Sequence, residues 1–197
     1  MPNKIEKRFF PISEIRAEMD DEEPRITGHA AVFNVLSGDL GGFREKIVPG
    51  AFARALTGDV LALWNHDTGL VLGRTSAGTL ELQEDERGLA FNNKPPAAQW
   101  VRDRMESIRR GDVTGASFAF EVERDEWEEG RDGEPALRTI HEFRALHEVS
   151  PGVAFPAYPQ TDVALRSLEA WREENKPEPP GRSVDFARRE VDIAEAV

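Results

Sequence analysis

The stretch VLALWNHD (60–67) combines a run of apolar residues with an abrupt change to polar ones. Its apolar side chains fall on both faces of a strand, which is typical of a strand that is covered on both sides. Such a strand fits a small barrel or a sheet under helices. Leu63 and Trp64 are therefore predicted to pack in the wall of the fold. His66 either ends this strand or serves as a catalytic base, and this stretch alone favours the first.

Short strands and a few helices are predicted on both sides of this stretch. Alternating or β-prone segments predict strands within 4–19, 25–34, 43–48, 69–75, 78–93, 115–127 and 136–155, with a hairpin turn near 84–88. Helices are predicted at 49–59, 95–112 and 161–175, the last with Thr161 or Asp162 as its N-cap. Because there is no regular βαβ rhythm, this order favours an α+β domain built around an antiparallel sheet or barrel.

Composition restricts the classes of function. The 197 residues carry a net charge of −12, so the surface repels phosphate, and binding to nucleic acid or to an anionic membrane is disfavoured. No apolar run is long enough to span a bilayer, and a soluble cytosolic protein is the expectation. The absence of cysteine excludes disulfides, thiol nucleophiles and zinc–thiolate sites.

A covalent enzyme of this composition would need serine, threonine or lysine as its nucleophile. Histidine is the usual base for a hydroxyl nucleophile, and the candidates are His29, His66, His141 and His147. Metal-ligand spacings, a P-loop and the G-x-S-x-G elbow are missing, so no metal and no cofactor are expected. These residues alone are compatible with a serine hydrolase, but they do not indicate which serine would be the nucleophile.

Several segments follow one another in a characteristic order. They are GHAAVFN (28–34), EKIVPGAFARAL (45–56), LWNHD (63–67) with LGRTSAGTLELQEDERGLAF (72–91), and GASFAF (115–120) with LHEVSPGVAFPAYPQT (146–161). Each segment alone is a weak signal, but the ordered set resembles the prohead protease family of tailed bacteriophages. The resemblance covers roughly residues 5–168 and implies a serine endopeptidase that acts inside the immature capsid.

The resemblance also implies a fold and partners. The family is thought to be related to the herpesvirus assembly proteases, which implies a small, mainly antiparallel β-barrel surrounded by a few helices. The implied substrates are the capsid protein, a scaffold protein and the protease itself, in the cytoplasm of the bacterial host. Such relatives can dimerise, so a homo-oligomer stays open.

Carried over by motif, His66 is the general base and Ser117 the nucleophile. Alternation in GASFAFEV places Ser117 on one face of a strand with small neighbours, opposite the phenylalanines. The third member should hold the imidazole in its useful tautomer. Glu148, the acidic residue of the E-V-S motif, is the preferred choice.

Other choices for the third member stay open. The herpesvirus relatives use a second histidine, which makes His147 and His141 candidates, and Asn65 or Asp67 could also orient the ring. His147 and Glu148 cannot both face the site in a regular strand. The sequence does not locate the oxyanion hole. Arg74 could assist there, although a surface ion pair is its more common role.

The composition changes near residue 176. We expect a protease domain over 1–172 and a charged tail over 173–197 with a short helix, which is either self-cleaved or a docking element. The alternative function is a non-catalytic scaffold or capsid-binding module of the same fold. The presence of His66, Ser117 and an acidic third residue favours the enzyme.

Overall fold

The computed structural model describes residues 5–10, 15–20, 23–154 and 162–176. The strands are β1 (Glu6–Phe10), β2 (Arg16–Asp20), β3 (Glu23–Val32), β4 (Phe43–Ile47), β5 (Leu61–Trp64), β6 (Asp67–Arg74), β7 (Leu80–Glu84), β8 (Gly88–Asn93), β9 (Gly115–Glu128) and β10 (Ala136–Val153). The helices are α1 (Gln99–Arg109) and α2 (Asp162–Glu174). The predicted hairpin turn near 84–88 is confirmed between β7 and β8.

These strands form a six-stranded sheet and a four-stranded sheet. The first has the order β1-β9-β10-β5-β6, with β4 also paired to β10, and the second has the order β2-β3-β8-β7. All pairs are antiparallel except those of β10 with β4 and β5. The α+β class is thus confirmed. Among the described strands neither sheet closes on itself, so the predicted closed barrel is not confirmed, and the relation to the herpesvirus proteases stays a prediction.

Strand β10 organises the larger sheet. Its 18 residues pair with β9 along one side, and along the other they pair first with β4 and then with β5. Irregularities in the β9–β10 register interrupt the pairing at several points, as β-bulges do. One long bent strand therefore joins the part of the sheet near β4 to the part that bears the candidate site.

The two sheets pack face to face around an aromatic core. Strand β3 packs against β9 and β10, and helix α1 covers β2 and β3. Phe52, Phe118 and Phe143 meet at the centre, with ring centroids 4.3–5.9 Å apart. Phe118 and Phe120 point into this core, as the alternation predicts. The other face of β9 is thereby left for Ser117.

One predicted helix is wrong. Residues 49–59 form turns and a single 3-10 turn, Ala55–Thr57, instead of a two-turn helix. Gly50 has a φ of 88°, which is incompatible with helix. The backbone N–H of Phe52 bonds the Glu84 carboxylate at 2.7 Å, so a distant side chain satisfies it.

The other two helices are confirmed with shifted ends. Helix α1 is shorter than the predicted 95–112 and buries Val101, Met105 and Ile108. Thr161, the side chain of Asp162 and the tail beyond residue 176 lie outside the described residues. Neither described helix has the length and apolar character that crossing a bilayer requires.

Candidate active site

A tight turn between β5 and β6 presents His66. Trp64 pairs with Asp67, so Asn65 and His66 are the only residues of the loop. Their φ angles are 50° and 62°, the positive values of a type I′ hairpin turn. The apolar half of VLALWNHD is therefore the buried strand, and the polar half is the turn at its end.

The His66 ring contacts the carboxylate of Glu148 on β10. Nδ1 of His66 makes a short hydrogen bond with Oε1 of Glu148. The other carboxylate oxygen, Oε2, accepts a hydrogen bond of 2.8 Å from the Ser150 hydroxyl. Ser150 Oγ in turn accepts the backbone N–H of His66 at 2.9 Å. Ring, carboxylate and turn are thus joined in one closed set of hydrogen bonds.

This arrangement selects a tautomer of His66. A carboxylate accepts hydrogen bonds, so Nδ1 of the neutral ring carries the proton that faces Glu148. Nε2 is then left with its lone pair, as a general base requires. The side chains of His66 and Glu148 are only 11% and 9% exposed, so water competes little for their contact.

Ser117 lies on the same face of the sheet as Glu148 and Ser150. Ser117 pairs directly with Ser150 across β9 and β10, and Ala119 pairs with Glu148. Directly opposed residues of antiparallel strands project to the same side, with Cα atoms about 4.5–5.5 Å apart. Ser117 is therefore one strand away from the residue that bonds the His66 turn.

The Ser117 hydroxyl has a different partner from His66. Its Oγ donates to the backbone carbonyl of Arg8 on β1 at 2.8 Å, and the residue is only 2% exposed. Strand β1 pairs with β9, with Phe9 directly opposite Ser117. No hydrogen bond joins Ser117 to His66 within the described ranges. The structure therefore brings His66 and Glu148 into contact but leaves the Ser117 hydroxyl bonded to β1.

A buried group of charges anchors β1 on the opposite face of the sheet. Glu6 and Arg8 of β1 meet Glu45, Arg138 and Asp125, with ion-pair distances of 2.5–3.5 Å. Burial by itself raises the pKa of Glu6, but the charges of Arg138 and Arg8 outweigh it, so the pKa lies below its ordinary value. For Arg8 burial lowers the pKa, and Glu45 and Glu6 raise it overall.

The alternative third members make other contacts. His147 Nε2 lies 2.9 Å from Glu121 and His141 Nε2 lies 3.3 Å from Glu126. The remaining histidine, His29, pairs with Asp85 at 2.8 Å.

Two further residues considered from the sequence also bond elsewhere. Asp67 Oδ1 accepts the backbone N–H of Gly69 at 2.8 Å. Arg74 forms an exposed ion pair with Asp59 at 2.6 Å, in line with the more common role of such an arginine.

Sequence reasoning did not identify the part played by Ser150 or by the carbonyl of Arg8. Ser150 stands in the quoted E-V-S motif, two residues after Glu148, so the period of a strand could have placed both on one face. No sequence pattern indicates the contact of Arg8, because it depends on how β1 aligns with β9.

Comparison with known proteins bears on this geometry. Residues 12–174 match the model of a family described as caudovirus prohead serine protease. The chain belongs to this family. No curated protein and no solved structure matches it. The family match begins after β1 and includes His66, Ser117, Glu148 and Ser150.

Proposed function

We propose that the chain is a serine endopeptidase that cleaves capsid or scaffold protein segments, and itself, inside the immature phage capsid in the host cytoplasm. The observation that supports this most is the contact of the His66 ring with the buried Glu148 carboxylate, on the sheet face that also bears Ser117. The membership of the chain in a family of prohead serine proteases supports the same proposal.

In the proposed mechanism His66 Nε2 takes the proton of Ser117 Oγ as that oxygen attacks the peptide carbonyl carbon. The imidazolium then gives its proton to the leaving amine, and water releases the acyl group by the same route. Glu148 keeps the Nδ1 proton in place and stabilises the imidazolium. For this sequence of steps Ser117 Oγ must exchange its partner on β1 for His66.

The alternative function, a non-catalytic scaffold or capsid-binding module, is not favoured. Such a module would have no need of a buried carboxylate joined to a histidine ring, whereas the proposed protease uses both. The high negative charge is compatible with either function and does not distinguish them.

Co-expression with the capsid protein tests the proposal. We expect the wild-type chain to process its substrate and Ser117→Ala to leave it intact. Ser107→Ala, at a partly exposed serine of α1 outside the candidate site, is the matched control and should process normally. Unchanged processing by Ser117→Ala would refute the assignment of the nucleophile.

Two further variants test the choice of third member. Glu148→Gln keeps the shape of the side chain but removes its charge, so we expect a strong loss of processing. His147→Ala removes a ring that contacts Glu121 instead, and processing should continue. The reverse order of effects would transfer the role to His147.

We also propose that the domain extends over about residues 1–172 and that the remaining residues form a self-cleaved or docking tail. The linker-like composition after residue 176 supports this division. Mass spectrometry of mature particles should find the protease truncated or absent. A full-length chain retained in them would count against self-cleavage.

A further inference from the structure

Strand β1 presents an extended backbone to Ser117. It runs antiparallel to β9 through five residue pairs, from Glu6 opposite Phe120 to Phe10 opposite Ala116. The carbonyl of Arg8 accepts the Ser117 hydroxyl at 2.8 Å. The backbone carbonyl of an extended peptide is the group that a substrate presents to the nucleophile of a serine protease.

The side chain of Phe9 occupies a space that a glycine leaves open. A Cβ atom on Gly115 would lie 2.0 Å from the Phe9 ring, so only glycine allows the ring this position. Phe9 projects to the same face as Ser117 because the two residues are directly opposed. The β9 edge therefore offers both a backbone to pair with and a place for a large side chain beside Ser117.

Release of β1 breaks its ion pairs with Glu45 and Arg138, but the remaining charges keep other partners. Glu6 and Arg8 pair with each other at 2.6 Å, so β1 takes one charge of each sign with it. Arg138 remains paired with Asp125 at 2.6 Å and with Glu45 at 3.5 Å. An unpaired buried charge, which would oppose release most strongly, is avoided.

We propose that the β9 edge beside Ser117 is the binding site for an extended substrate strand, and that β1 occupies this site until substrate displaces it. The inference rests on the proposed protease function and deepens it. The family match begins at residue 12, so β1 lies outside the matched region. Substrate pairs with β9 through its backbone, as in other cases of strand addition to a sheet edge.

The contacts of β1 indicate which peptides fit best. An acidic residue in the place of Glu6 meets Arg138, and a basic residue in the place of Arg8 meets Glu45. A large apolar side chain in the place of Phe9 covers Gly115. The preferred substrate is thus an extended segment with an acidic residue, a basic residue two positions later, and an apolar residue after it.

A reversible lock on β1 tests the proposal in the full chain. Lys7 and Ala119 are directly opposed, and the chain has no cysteine of its own, so Lys7→Cys with Ala119→Cys can form only one disulfide within the molecule. We expect the oxidised form to cleave capsid protein at least about tenfold more slowly than the same protein after reduction. Equal cleavage by the two forms would overturn the proposal.

A second measurement does not depend on catalysis. In Ser117→Cys the only thiol lies under β1, so we expect slow reaction with a thiol reagent. Adding Phe9→Ala weakens the cover of β1 and should speed the reaction by about tenfold. Lys7→Ala, on an exposed side chain of the same strand, is the control and should change the rate little.

The disulfide lock and the thiol labelling together distinguish a failure of the β1 proposal from a failure of the proposed protease function. A thiol that reacts equally fast with and without Phe9→Ala would overturn the role of β1, whatever the activity. If Phe9→Ala accelerates the labelling of Ser117→Cys while neither the wild-type chain nor the reduced Lys7→Cys/Ala119→Cys protein cleaves capsid protein, β1 is supported as a displaceable strand and the protease function is refuted instead.

Discussion

His66 occupies a backbone conformation that histidine does not favour. Its φ of 62° lies in the left-handed region, which costs a residue with a Cβ atom about 1–2 kcal/mol. Glycine avoids this cost, so Asn-Gly is the common sequence in two-residue turns of this type. The turn thus holds an imidazole where the backbone alone would favour glycine. The hydrogen bond from the backbone N–H of His66 to the Ser150 hydroxyl helps to offset the cost.

Substitutions of His66 distinguish the proposed catalytic role of its side chain from the strain in its backbone. We expect both His66→Gly and His66→Ala to lose cleavage by about three orders of magnitude or more, because the proposed base is gone. His66→Gly should unfold with a free energy about 1 kcal/mol higher than that of His66→Ala, since glycine fits the turn. Cleavage assays and urea unfolding measure the two effects. Comparable cleavage by wild type and either variant would rule out His66 as the base.

Ser150 is expected to position Glu148 and the His66 turn without touching substrate. In Ser150→Ala, Glu148 Oε2 loses its donor and the His66 N–H loses its acceptor, which should lower the free energy of unfolding by about 1–3 kcal/mol. We expect kcat to fall and KM to stay nearly unchanged. Ser150→Thr, which keeps the hydroxyl, should recover part of kcat. A change in KM alone would contradict a positioning role.

The hairpin of β5 and β6 rests on a glycine of β10. A Cβ atom on Gly152 would lie 2.3 Å from the Trp64 ring, which directly precedes the turn. We expect Gly152→Ala to lower the free energy of unfolding by about 1–3 kcal/mol through overpacking, and to reduce cleavage because the hairpin moves. Gly38→Ala is the control, since a Cβ there meets nothing within 4 Å. Equal melting temperatures for the two variants would show that the hairpin adjusts freely.

Glu6 of strand β1 should make the stability of the fold depend on pH in the acid range. Because its folded pKa is below the ordinary value of 4.5, Glu6 stabilises the fold above that pH, and this stability is lost as the pH falls through the folded pKa. We expect the free energy of unfolding of Glu6→Gln to fall less steeply below about pH 4.5 than that of wild type. Urea midpoints measured across this range test this.

Near neutral pH, Glu6→Gln is expected to lower the free energy of unfolding. There Glu6→Gln should be less stable than wild type, because Arg8 and Arg138 lose a charged partner in a buried setting. Glu134→Gln, on an exposed loop residue, is the control and should follow wild type. Parallel pH profiles for wild type and Glu6→Gln would exclude Glu6 as a source of the acid response.

At the scale of the whole molecule, local pattern was a good guide to the elements and a poor one to their assembly. Alternation predicted the faces of β9, and the positions of α1 and α2 were predicted to within four residues at each end. The segment 49–59 has the composition of a helix, but Gly50 and a bond from Phe52 to the distant Glu84 override it. Closure into a barrel depends on which strand edges meet, and no single segment encodes that.

In the candidate site, too, local pattern indicated individual residues but not how they are brought together. His66 and Glu148 are 82 residues apart in sequence, and only the resemblance to a family suggested that they belong together. Their contact depends on the pairing of β10 with β5, which carries the His66 turn at its end. The bond between Ser117 and β1 was not predicted, because the segment EKRFF indicates a strand but not which strand edge it joins.

A smaller hydrophobic cluster fixes α2 to the body, apart from the main core. It consists of Leu40, Phe43, Ala136 and Leu168, with Trp127 and Trp171 packed against it. Leu168→Ala should release α2 first, because truncating a buried leucine costs about 2–5 kcal/mol and this cluster is small. Hydrogen exchange should show lost protection in residues 162–174 and little change in β9. Leu36→Ala, on an exposed leucine, is the control; uniform loss of protection would contradict two separate clusters.

The left-handed backbone at His66 has an evolutionary consequence. If His66 is the proposed base, selection on its chemistry keeps it at a turn position that its backbone does not favour. In lineages where capsid maturation no longer needs proteolysis, mutation should replace this histidine by glycine or asparagine before the surrounding strands decay. Genomes of tailed phages can therefore be searched for an NG or NN dipeptide after this strand, as a mark of family members that have kept the fold and abandoned cleavage.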